Sequence, residues 1–151
     1  MIKVLCVGKL KEDYLQAAVC EYEKRISKYA KLKIIEVSDF HYEDIHKTKE
    51  KEGEELLKHI EEKDYVITLD IAGKQLDSLS FAANLDKLEM QHANLCFVIG
   101  GSYGLASSLT KRAQMTLSFS KMTFPHQLFR VLFLEQLYRA YKINHNEKYH
   151  K

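Results

Sequence analysis

The stretch Val98-Ile99-Gly100-Gly101-Ser102-Tyr103-Gly104-Leu105 ends an apolar run in three glycines within five positions. Glycine lets main-chain groups approach a bound molecule closely, so the pattern reads as a buried strand delivering backbone to a ligand. A second segment of this kind, Leu117-Ser118-Phe119-Ser120-Lys121-Met122-Thr123-Phe124-Pro125-His126, runs straight into a long apolar helix. The chemistry these residues offer is recognition by backbone and shape, ahead of any acid-base triad.

Several better-known chemistries are excluded by spacing. The glycine loop lacks the Gly-Lys-Ser/Thr ending of a phosphate-binding P-loop, and its glycines do not fit the dinucleotide fingerprint, which belongs after a first strand. His41 and His46 flank Glu43 and Asp44, but no second ligand group brackets them, so no metal is expected. Cysteines at 6, 20 and 96 form no close pair and read as reduced, buried thiols of a cytoplasmic protein. No Ser-His-Asp order or Cys-His pairing is legible.

These loops need a frame, and 151 residues with 46% hydrophobic content suffice for one domain, residues 1–151, with a real core. No apolar run is long enough to span a membrane, and the N-terminus reads as a strand without a basic leader. Strands are expected at Ile2–Val7, Leu32–Val37, Tyr65–Leu69, Leu95–Ile99 and near Met115–Phe119. Helices are expected from the apolar face Leu15, Val19, Tyr22, Ile26 and Tyr29, over about Asp44–Glu62, from a Ser78 or Ser80 cap to about Gln91, around Ser107–Ala113, and over Pro125 to about Ile143. Asp70 to Lys74 reads as a glycine-bearing loop, and the charged run Lys47 to Glu55 as solvated helix surface. Alternation of this kind implies an α/β fold, a mostly parallel sheet with helices on both faces. Ligands of such sheets bind beyond the carboxyl ends of strands, where Leu69 to Gly73, Gly100 to Gly104 and Phe119 to Phe124 all lie.

The formal charge of +2 divides unevenly along the chain. Residues 1–120 carry 17 Lys/Arg against 19 Asp/Glu, and residues 121–151 carry 6 against 2. The basic end suits contact with phosphate, while the small total gives little nonspecific pull on free RNA.

The ordered set Thr68 to Lys74, Val98 to Leu105, Leu117 to His126, Tyr138-Arg139-Ala140 and Tyr149-His150 closely resembles the RlmH family, SPOUT-class methyltransferases acting on 23S ribosomal RNA. The likeness spans essentially the whole chain. It implies a C-terminal trefoil knot and a homodimer that uses S-adenosylmethionine, without a metal. It also implies methylation of ring nitrogen three of a pseudouridine in helix 69, with the assembled ribosome as substrate. By matching positions, cofactor contacts fall on Leu69, on Gly100 with Gly101 and Gly104 of its loop, and on Phe119, Ser120, Lys121, Met122, Thr123 and Phe124. His126, directly after that run at the start of the last helix, is the first choice for base or electrostatic helper; its alternative is a structural hydrogen bond at a helix start. Arg130 and Arg139 either contact phosphate or pair with Glu135, phosphate being preferred. Tyr138 and Tyr141 are expected to pack. The resemblance places Tyr149 and His150 near the target nucleotide in a site built across the dimer. The rival expectations are a SPOUT enzyme for another ribosomal or transfer RNA site and a ribosome-associated RNA-binding protein without catalysis.

Overall fold

The computed structural model describes residues 1–151. Ten elements follow in order: β1 (Ile2–Val7), α1 (Asp13–Ile26), β2 (Leu32–Val37), α2 (Ile45–Leu57), β3 (Tyr65–Gln75), α3 (Ser78–Gln91), β4 (Leu95–Ile99), α4 (Ser107–Arg112), β5 (Met115–Ser118) and α5 (His126–Asn144). The five strands form one sheet in the order β2-β1-β4-β3-β5, every pair parallel.

Period-two alternation sends each central strand into two separate cores. Ile2, Val4 and Cys6 of β1 and Leu95, Phe97 and Ile99 of β4 face a large core built with α1, α3 and α5. Leu5, Val7, Cys96 and Val98 face a smaller one under α2 and α4. A strand buried on both faces must be apolar throughout, which is why β1 and β4 read as continuous hydrophobic runs. Phe97 meets Phe133 of α5 at 4.8 Å between ring centroids. Each fully buried Leu or Phe here contributes about 1.5–3 kcal/mol.

Three local expectations change. The segment Asp70 to Lys74 is not a free loop: β3 continues to Gln75, and both Leu69 and Lys74 pair with Leu117 across an irregularity in the register. Gly73 permits this, because a Cβ there would lie 2.7 Å from backbone atoms of Thr116 and Leu117. The run Lys47 to Glu55 is not wholly solvated, since Thr48, Glu52 and Gly53 are buried. Finally, α3 is capped by Asp77, whose Oδ1 accepts the Ser80 amide at 2.7 Å, and not by a serine. Pro125 stands just outside α5 as its N-cap residue. Of the thiols expected to be buried, Cys6 and Cys96 are, whereas Cys20 lies on the exposed face of α1. No helix is long and apolar enough to cross a membrane.

Candidate active site

Because β4, β3 and β5 are adjacent, their carboxyl ends open side by side. Leu69 pairs with Ile99 on one side and Leu117 on the other, so the segments after these residues meet at one edge of the sheet. They enclose a cavity of about 830 Å3. Leu69, Gly100, Gly101, Gly104, Phe119, Ser120, Met122, Thr123, Phe124 and His126 all line it, whereas Lys121 does not. Asp70, Ile71 and Tyr103, which the sequence places in the converging loops without a role of their own, also line it, and so does Lys49, which the sequence reading missed. A smaller cavity of about 310 Å3 shares the Leu117 and Phe119 walls and is also lined by Phe81, Ser78 and Gln136.

Two glycines are required by the turn itself. Gly104 holds φ at +87° and its amide donates to the Gly101 carbonyl at 3.1 Å, closing a tight turn. At Gly100 a Cβ would stand 2.7 Å from the Gly104 carbonyl oxygen. Gly101 behaves differently: its Cβ would meet Glu52 Oε1 and Val7 Cγ1, each at 3.1 Å. Its missing side chain thus makes room for a carboxylate behind the loop.

That carboxylate belongs to α2. Glu52 is only 5% exposed; its Oε2 accepts the Phe40 amide at 3.2 Å, and its Oε1 has no partner. Burial pushes its pKa up, and the Asp39 carboxylate adds to the shift. The run after β5 is shaped by its own serines. Ser118 Oγ donates to the Ser120 carbonyl, and Ser120 Oγ accepts the Met122 amide, each at 3.0 Å. Phe119 turns inward, edge-on to Phe129 at 5.2 Å, while Met122 and Phe124 stay exposed.

His126 is half-buried at the cavity wall. Burial lowers its pKa, and the Arg130 guanidinium one turn along lowers it further, which keeps the imidazole neutral. Arg130 itself contradicts the expectation of a phosphate contact. It is 1% exposed, its Nη1 2.6 Å from Glu36 Oε2 and its Nη2 donating to the Gly8 carbonyl at 3.0 Å. It fastens α5 to the ends of β1 and β2 and reaches the site through its charge on His126.

Arg139, Tyr149 and His150 gather elsewhere. Arg139 pairs with Glu135, the alternative partner, and its Nη1 lies 3.2 Å from His150 Nδ1. Tyr149 donates to Glu135 Oε1 at 3.1 Å and lies under the Arg139 guanidinium at 4.8 Å. Burial, then Glu135, pushes the Tyr149 pKa up to about 12. Thirteen residues of helix, about 20 Å at the usual rise, separate this cluster from His126, and none of its members lines either cavity. Tyr138 and Tyr141 pack: Tyr141 is buried and stacks on Tyr29 at 5.6 Å, and Tyr138 meets Tyr22 and Tyr149.

Comparison with known proteins decides the family. A family model described as "Predicted SPOUT methyltransferase" matches residues 1–150. The chain belongs to the SPOUT methyltransferase family. Proteins named ribosomal RNA large subunit methyltransferase H are similar over nearly their whole length. That of Bifidobacterium animalis subsp. lactis is 51% identical and that of Clostridium novyi 50%, each alignment covering 99% of both chains. That of Caldicellulosiruptor saccharolyticus is 48% identical over all of both chains. The structure of a probable methylase family protein from Haemophilus influenzae shares the fold, with a TM-score of 0.56 and 9% identity, covering 99% of this chain and 70% of that one. This SPOUT methyltransferase therefore carries its cavity where the three strand ends meet.

Proposed function

We propose that this methyltransferase uses S-adenosylmethionine to methylate ring nitrogen three of a pseudouridine in helix 69 of 23S ribosomal RNA, acting as a cytoplasmic homodimer on the assembled ribosome. The observation that carries the reading is the 830 Å3 cavity beyond three adjacent parallel strands, in a chain half identical to large-subunit ribosomal RNA methyltransferases.

The lining fits the methyl donor. Ile71, Tyr103, Met122 and Phe124 are large apolar side chains left exposed around the cavity, surface that an adenosine would cover. The glycine turn and the 119–124 run would hold it through main-chain groups, with Leu69 and Leu117 as floor. When bound, the donor supplies a methyl group on a positively charged sulfur. His126, held neutral, accepts the proton of the imide nitrogen as that nitrogen takes the methyl. Turn and floor fix the approach, since in-line displacement depends on positioning. No step here calls on a metal; His41 pairs with Asp39 and His46 with Glu50 at the surface.

The tail supports a two-copy site. Tyr149, His150 and Arg139 cluster about 20 Å along α5 from His126, so a tail at the acceptor nucleotide would come from a second copy. Both the trefoil knot and the dimer belong to the proposal; the close passage of Gly73 over β5 suits a chain that crosses itself there.

Labelled S-adenosylmethionine offered with intact ribosomes, separated subunits and naked RNA tests the reading, with the product located by mass spectrometry. Transfer to helix 69 of intact ribosomes is expected, and no transfer to any large-subunit RNA overturns it. In the same assay His126→Gln should lower kcat/KM by roughly 10²-fold. Wild-type activity should fall only below the ordinary imidazole range, because the lowered His126 pKa keeps the base free above it. An unchanged acid limb in the variant removes His126 as the base.

A further inference from the structure

Lysines 47, 49 and 51 alternate along α2. Two are used within the chain: Lys47 Nζ lies 4.3 Å from the Tyr42 ring centroid, and Lys51 Nζ 3.3 Å from Glu54 Oε2. Lys49 has neither an ion-pair nor a ring partner, and it lines the main cavity. It is the one permanent cation there. The carboxylate on the same wall, Asp70, does not pair with it and accepts the Ala72 amide at 3.2 Å instead.

The backbone beneath Lys49 is held in place. Thr48 is 1% exposed and its hydroxyl accepts the Tyr42 amide at 3.1 Å. Gly53 is seated so closely that a Cβ would lie 2.9 Å from Ala106 Cβ, just past the glycine turn. With buried neighbours one residue before it and three and four after it, the α-carbon of Lys49 cannot drift from the cavity. A half-buried ammonium facing a site for a sulfonium cation is unfavourable unless an anion is brought between them.

We propose that Lys49 binds an oxyanion that the ligand brings, the carboxylate of the methyl donor's amino-acid portion. The inference rests on the reading of the cavity as an S-adenosylmethionine site. A phosphate of the RNA would present the same chemistry, and the choice of ligands separates the two sources.

Isothermal titration with S-adenosylhomocysteine and 5′-methylthioadenosine tests it, because the second ligand lacks the amino-acid portion. Lys49→Gln should weaken S-adenosylhomocysteine about tenfold and leave methylthioadenosine unchanged, and Lys49→Arg should restore most of the loss. Unchanged S-adenosylhomocysteine binding with a raised KM for ribosomes and an intact kcat assigns the anion to RNA phosphate. If Lys49→Gln alters neither, the proposal is overturned. Should the wild-type chain bind neither nucleoside, it is the reading of the cavity that fails. Circular dichroism of both variants keeps loss of fold apart from loss of contact.

Discussion

At the amino-terminal end of the sheet, charge is closed off. Lys3 Nζ lies 2.6 Å from Asp64 Oδ2, which also accepts the Glu61 amide at 2.8 Å. Arg112 donates to the Glu61 and Asp64 carbonyls, and the terminal amine to the Ala93 carbonyl. Asp64 Oδ1 is the one buried atom there without a partner. At the carboxyl end the pattern reverses. Glu52 Oε1 and Arg130 Nε are buried without partners, Lys49 faces a cavity, and Met122 is 75% exposed. One end of the sheet spends its polar groups on the fold; the other leaves buried polar atoms unpaired behind a cavity that Lys49 and Met122 line. Substitutions at the first should therefore lower stability alone, whereas at the second those in the cavity lining should change binding and those behind it, such as Glu52, stability.

The largest expected effect is at Lys3. Removing one partner of a buried pair strands the other charge, so Lys3→Met should destabilise by about 3–5 kcal/mol in urea unfolding while the folded fraction still binds cofactor. Burial alone would raise the Asp64 pKa, but Lys3 and the Glu61 amide outweigh it and leave it lowered. That contribution to stability is present above the ordinary carboxylate range and is lost as pH falls through the depressed value. A variant of parental stability would mean that the amino-terminal pair is not what closes that end.

Neighbouring glycines sharpen the contrast at the carboxyl end. Gly101→Ala brings a methyl group to 3.1 Å from the ends of the Glu52 and Val7 side chains, which can yield by a few tenths of an ångström, so it should lower stability by no more than about 1 kcal/mol. Gly100→Ala instead puts a methyl group 2.7 Å from the Gly104 carbonyl oxygen, so the turn itself must move: stability should fall by about 1–3 kcal/mol and S-adenosylhomocysteine affinity about tenfold. The reverse ranking by thermal melts and titration would exchange the two roles.

Why the sequence could not separate these glycines has a physical answer. Apolar continuity in β1 and β4 reports burial on two faces, and three converging loops follow from strand order, so the α/β frame and the cavity were legible. Where a Cβ would point is a tertiary fact, and Gly101 looks like Gly100 until Glu52 is placed behind it. In the run Lys47 to Glu55 a high density of charge hides a buried face. Thr48, Glu52 and Leu56, four apart, are the buried stripe that charge concealed. Arg130 is a second case in which charge does not mean exposure, since a guanidinium that meets a carboxylate and two carbonyls can be buried.

Glu52 offers a smaller effect of opposite sign. Its raised pKa means that the folded state favours the protonated form, so its contribution is fully present below the ordinary glutamate value and is lost as pH rises through the raised one. Glu52→Gln keeps an acceptor for the Phe40 amide without the charge. It should stabilise by about 1 kcal/mol at neutral pH and by nothing in acid. A variant less stable than the parent at neutral pH would show that the ionised carboxylate has a role in the fold.

The smallest effect expected is at Lys121, within the segment assigned to the cofactor but outside the cavity lining. If that segment works through its backbone, held in shape by Ser118 and Ser120, a side chain pointing elsewhere adds little. Lys121→Ala should change S-adenosylhomocysteine affinity by less than about twofold, whereas Ser120→Ala, which removes the acceptor of the Met122 amide, should weaken it more. A large loss at Lys121 with none at Ser120 would mean that a cation, not main-chain geometry, does the holding there. The open end of the sheet would then depend on charge as much as the closed end does.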